Sequence, residues 1–87
     1  MAFRALLPLL LLGWVLQSAD RNGDWAALGD FSSSGTCERV RSAHIERDTL
    51  DAIGRPLADQ PSDNPLRREA YDRAVRRASE RYRCNQD

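Results

Sequence analysis

Residues 5–20, ALLPLLLLGWVLQSAD, decide what the rest of the chain can fold into. Ala5 to Leu16 is a nearly unbroken apolar run, Arg4 supplies a short positive start, and Ser18 and Ala19 are small. That order of features reads as a secretory signal peptide over residues 1–19, with cleavage after Ser18 or Ala19. Gln17 is a poor residue for the third position before a cut at Ala19, which leaves an uncleaved anchor as the competing reading. The apolar run is well short of the ~20 residues a membrane-spanning helix needs. No transmembrane segment is therefore expected once the signal is removed. No cysteine stands at the cut, so a lipid anchor has no support.

On this reading the mature chain is residues 20–87, one small domain. A chain this short buries little apolar surface and often needs a covalent or metal staple. It keeps twelve arginines against thirteen acids, so a strongly basic nucleic-acid binder is not expected. Cys37 and Cys84 are its two cysteines, with no Cys-x-x-Cys pair and no Asn-x-Ser/Thr acceptor. In an exported chain two such cysteines favour a disulfide.

Residues 20–36, DRNGDWAALGDFSSSGT, are rich in Gly, Ser and Asp and read as a flexible arm. Trp25, Leu28 and Phe31 within it could pack on the domain or serve as an anchor, and packing is the simpler reading. Helix A is expected at about 37–53. Thr36 is its N-cap, Glu38 lies in its first turn, and Gly54-Arg55-Pro56 is its stop. Val40, Ala43, Arg47, Leu50, Gly54 and Leu57 form its expected packing stripe, at spacings of three and four. The following residues are turn formers. Helix B is expected at about 65–84, with Asn64 as cap and Pro65 in the first helical position. Ala70, Ala74 and Ala78 give it a small-residue face, and residues 85–87 are a tail.

The expected fold is thus all-α: a small antiparallel helical hairpin over residues 37–84 with a loose N-terminal arm. A Cys37–Cys84 disulfide would close its open end. That register sets Ala43 against Ala78, Leu50 against Tyr71 and Arg47 against Ala74. The ring holds about 48 residues, and closing it is worth roughly 4 kcal/mol in the chain-entropy model.

Chemistry is sparse. Asp20, Asn22 and Asp24 alternate as in a calcium loop, but Trp25 and Phe31 stand where Gly and a bidentate acid belong. His44 and Asp48 share a helix face, yet two ligands do not make a metal site. No nucleophile–base pair can be drawn. No catalytic residue, metal or cofactor is expected, and the chain reads as non-enzymatic. Residues 65–84, the expected helix B, carry seven arginines against three acids. Glu69–Arg73, Asp72–Arg76 and Arg76–Glu80 are spaced to pair along helix B. Two function classes follow. The first is a secreted or periplasmic binding or structural module with a protein partner. The second is a secreted inhibitor or antimicrobial-type effector that meets an anionic surface, weakly, through the arginines of helix B.

Overall fold

The computed structural model describes residues 13–86. The elements run β1 (Trp14–Ala19), β2 (Trp25–Phe31), α1 (Ser34–Ile53), α2 (Arg55–Ala58), α3 (Pro65–Ser79) and β3 (Tyr82–Gln86). The three strands make one antiparallel sheet in the order β2-β1-β3, so β1 is the middle strand. The fold is α+β, which corrects the all-α expectation.

The correction starts in the stretch quoted above. The apolar run reads equally well as the core of a leader and as a strand, and the structure places Trp14–Ala19 in the sheet. Leu16 is fully buried and Val15 nearly so. Residues 1–12, the remainder of the expected signal, lie outside the described residues.

The expected arm is the other half of a hairpin. The loop is Arg21-Asn22-Gly23, closed where the Asp20 amide donates to the Asp24 carbonyl at 2.9 Å, a three-residue hairpin connection with glycine in the last position. Gly23 takes φ +82°, where a side chain would be strained. Asp20 closes the turn: its Oδ1 accepts from the amides of Asn22, at 2.8 Å, and Asp24, at 3.0 Å. This is an Asx turn. The β1–β2 register then runs from Ala19 opposite Trp25 to Trp14 opposite Phe31. It shifts between Leu16 and Gln17, leaving Leu28 as an extra, bulged residue that is half exposed.

α1 begins earlier than expected. Ser33 is its N-cap, and its hydroxyl accepts from the Thr36 amide. It ends where the sequence says, at Gly54, whose φ of +84° no other residue adopts cheaply. The packing stripe is not the expected one. Ala43 and Arg47 face solvent, while Cys37, Ile45 and Thr49 are buried. A stripe of Cys, Arg41, Ile and Thr at four-residue steps is weak in hydropathy, because two of its members are polar. Each polar member is satisfied locally. Thr49 Oγ1 donates to the Ile45 carbonyl at 2.6 Å. Arg41 donates to the carbonyls of Ser79, at 2.9 Å, and Tyr82, at 3.0 Å, capping the end of α3.

α3 starts as expected. Asn64 Oδ1 accepts from the amides of Leu66 and Arg67 ahead of Pro65. It stops at Ser79, five residues short of the expected end. The chain turns at Glu80 and Arg81, and β3 pairs with β1, Leu16 opposite Cys84 and Ser18 opposite Tyr82. Sequence contains no breaker there. The helix yields because β1 offers a ladder of backbone hydrogen bonds, an instance of tertiary pairing overriding local propensity. The expected tail is part of this strand as far as Gln86, and Asp87 lies outside the described residues.

α1 and α3 lie side by side with reversed direction: Arg41 meets Ser79 and Tyr71 meets Glu46, while Arg67 near the start of α3 meets the Ala58 carbonyl of α2. They form a helical layer on one face of the sheet. Between the layers sit Leu16, Cys37, Ile45, Ala78 and Tyr82, with Trp14, Phe31, Val40, Val75 and Cys84 packed around them. The Cys37–Cys84 disulfide is present, with Cα atoms 6.2 Å apart. It joins the first turn of α1 to an edge strand rather than to a second helix. On the outer face of the sheet, Arg83 stacks on Trp25, its guanidinium carbon 3.9 Å from the ring centroid. Gln17 Oε1 accepts from both Arg83 Nε and Asn85 Nδ2 at 2.8 Å, so this polar cluster answers itself.

Candidate functional site

The residues with known roles in metal or acid–base chemistry are drawn into structural contacts. His44 stacks on Tyr82, with ring centroids 5.4 Å apart, and its Nδ1 shares a hydrogen bond with Arg47 at 3.0 Å. The Tyr82 hydroxyl donates to Asp48, so His44 and Asp48 do flank one aromatic ring. Burial, followed by the hydrogen bond to Asp48, raises the Tyr82 pKa above its ordinary value of 10.0. In Tyr71 the bond to Glu46 leads and burial follows, with the same direction. Neither hydroxyl is primed to act as a phenolate.

These shifts make a pH prediction. Tyr71 and Tyr82 are the chain's two tyrosines. Each folded pKa lies above the unfolded one, so folding favours the protonated hydroxyl. The stabilisation is complete below the unfolded pKa, about 10. It is lost as pH rises through the folded values. Absorbance at 295 nm should therefore show both tyrosines titrating above pH 10, with stability falling over the same window. A titration midpoint at or below 10 in the folded protein would contradict the two hydrogen bonds.

The concavity with chemical character lies elsewhere, between the C-terminal half of α1 and the length of α3. It encloses about 450 Å³ and is lined by Asp48, Ala52 and Ile53 from one side and by Ala70, Arg73, Ala74, Arg77, Ala78 and Arg81 from the other. Its origin is in the sequence. On α3 the four-residue steps Ala70–Ala74–Ala78 and Arg73–Arg77 run in parallel, so one row of small side chains leaves room beside two cations, and Arg81 joins them from the turn after the helix. Arg73 and Arg77 are one helical turn apart, about 6 Å.

The electrostatics of this groove are positive. Arg73 meets Glu69 at 3.4 Å, but both side chains are about two-thirds exposed and such a pair contributes little. Among the described residues, Arg77 and Arg81 have no carboxylate within ion-pair distance. Asp48, the one acid lining the groove, already accepts from Tyr82 and lies 3.8 Å from Arg47 Nε. Of the three pairs expected along helix B, Glu69–Arg73 forms. Asp72–Arg76 and Arg76–Glu80 are not seen among the described residues, the latter because Glu80 stands outside the helix. Arg47, expected against Ala74, instead turns to His44 and Asp48.

Sequence reading noted the alanine stripe and the arginine excess separately. Their adjacency at a common spacing was the signal that could have located the groove. Comparison with protein-family models, curated proteins and solved structures gives no match.

Proposed function

We propose that this chain is a small non-enzymatic binding protein that takes an anionic partner in the groove between α1 and α3. The observation that carries the reading is the row Arg73, Arg77 and Arg81, of which two have no carboxylate partner among the described residues, set over an alanine floor. Guanidinium groups in a row favour phosphate, sulfate or carboxylate because each presents several donors in a fixed plane.

The same reading places the protein in an oxidising compartment, the periplasm or the extracellular space. The Cys37–Cys84 disulfide supports this, since such bonds persist where thiols are not kept reduced. Among the described residues no helix is long and apolar enough to cross a membrane. An effector that coats an anionic surface is the weaker alternative. Glu69, Asp72 and Glu80 interleave with the arginines, and the whole chain has a formal net charge of zero. A discrete site suits that balance better than a broad electrostatic attraction.

Inorganic phosphate is the probe. Titrated into the full-length oxidised protein, it should shift the amide and guanidinium resonances of Arg73, Arg77 and Arg81, and the affinity should fall with added sodium chloride. Arg77→Gln should weaken binding by at least about fivefold, one screened charge-assisted contact. Shifts confined to other residues, or an affinity indifferent to Arg77→Gln, would refute the site.

A further inference from the structure

We infer that β2 is a self-association edge: two copies of the chain join antiparallel along Trp25–Ala27, so that two three-stranded sheets become one. Backbone geometry fixes which groups are available. In an antiparallel ladder, bonded and non-bonded pairs alternate. The Asp20 amide donates to the Asp24 carbonyl at 2.9 Å, so that pair is bonded. Ala19–Trp25 and Gln17–Ala27 are then non-bonded pairs, and Ser18–Ala26 between them is bonded. Ala19 agrees, since its amide points the other way, to the Arg81 carbonyl at 2.8 Å. The N–H and C=O of Trp25 and Ala27 therefore project from the open edge of the sheet. Among the described residues no strand meets them there, and both residues are exposed.

Sheet edges are commonly blunted by charged side chains, lysine above all, or by proline. Trp25–Phe31 carries no lysine, arginine or proline. The edge at β3 is shorter, carries Arg83 and is tied down by the disulfide. A row of free backbone groups is recognised by another strand. That strand is β2 of a second copy, because the pairing is self-complementary about a two-fold axis. With Ala26 on the axis, Trp25 stands opposite Ala27 of the second copy and exchanges two backbone bonds with it. Symmetry doubles these to four. Both residues lie on the outer face, Trp25 under Arg83 and Ala27 opposite Gln17. The two Trp25 rings become diagonal neighbours on that face, a separation that aromatic side chains span. Ala27 opposite each ring leaves it room, and Arg83 of each copy stacks on its own ring. Asp30, the one charge on the strand, falls by the turn of the second copy, where Arg21 is exposed, and far from its own counterpart. The bulge at Leu28 ends the ladder, so the contact is short and belongs to the weak, reversible class.

Sedimentation velocity of the full-length oxidised protein, from micromolar to millimolar concentration, should show a reversible monomer–dimer equilibrium. Amide exchange followed by NMR over the same series should slow with concentration at Trp25 and Ala27. It should stay constant at Ala26, whose amide is bonded within the chain to Ser18. Ala27→Pro removes an outward N–H, a position where an edge strand accepts proline. It should raise the dissociation constant by at least about tenfold, two of the four bonds being lost. Ala27→Lys sets a cation against the Arg83–Trp25 stack of the second copy. It should weaken the dimer at least as much and leave the circular dichroism of the monomer unchanged. Protection of both amides that persists in a monomer at the lowest concentration would assign the edge to a segment of the same chain and overturn the second copy. A monomer throughout with fast exchange at both amides, or a dimer indifferent to both substitutions, would overturn the proposal as well.

Discussion

A chain that begins at Asp20 will not fold. Cleavage at Ala19–Asp20 removes β1, and among the described residues β2 and β3 pair with no other strand. Both ladders of backbone hydrogen bonds go at once. So does Leu16, a fully buried side chain between the sheet and the helices. Losing a buried leucine down to alanine alone costs about 2–5 kcal/mol, against a total stability of about 5–15 kcal/mol for a domain. Loss of the strand adds the exposure of Ile45, Ala78 and Tyr82, which form the core with it. Residues 20–87, produced with the disulfide oxidised, should show a non-cooperative thermal trace and poorly dispersed amide resonances. The full chain should melt cooperatively. Leu16→Ala in the full chain is the graded companion and should cost about 2–5 kcal/mol. If the protein is exported, the intact mass of the exported form should retain Trp14–Ala19. A cooperatively folding 20–87 fragment would overturn the central position of β1.

Reduction of Cys37–Cys84 carries the second large effect. The bond spans 47 residues of sequence. In the chain-entropy model, freeing a loop of that size costs about 4 kcal/mol. For a domain of this length that corresponds to a melting temperature lower by on the order of 20 °C. The location of the bond sharpens the expectation. Among the described residues β3 is an edge strand of five residues, held by β1 on one side. Once the bond is cut, the ties between β3 and α1 include the Tyr82 hydrogen bond to Asp48, its stack with His44 and the Arg41 hydrogen bond to the Tyr82 carbonyl. Hydrogen exchange of the reduced protein should therefore show Tyr82–Gln86 losing protection first. Uniform loss of protection across α1, α3 and β3, or an unchanged melting temperature, would refute this.

What could be read in advance, and what could not, divides along physical lines. Local chemistry was legible: the Asn64 cap before Pro65, the Gly54 stop, and the two cysteines in register. The failures are places where an identical local pattern serves two purposes. Trp14–Ala19 carries the apolar-then-small order of a leader, and the same order makes a middle strand with a buried leucine. Without β1 as a strand, Tyr82–Cys84 has no partner and reads as the end of helix B, with Asn85 and Gln86 as a tail. Arg21-Asn22-Gly23 is a hairpin connection, but its strands look unpaired with half of the hairpin assigned elsewhere. On α1 the buried stripe was hidden because Arg41 and Thr49 look like surface residues. Each is buried or half-buried with its polar atoms answered by backbone. The groove was half legible, as two separate periodicities whose common register only a folded helix brings together.

The strand order has a consequence for how the chain is made. Ser18 finds its partner in Tyr82, far along the sequence and beyond all the helices. A ribosome emits β1 early, and the β1–β2 hairpin can close as soon as its turn emerges. The other flank of β1 stays open until the last residues of β3 have been synthesised. Contacts of that separation are slow to form. Throughout synthesis the protein is thus a loose hairpin followed by helices without a finished core. Such a chain remains threadable through a narrow channel, and its exposed strand flank is open to capture by holding chaperones until β3 emerges.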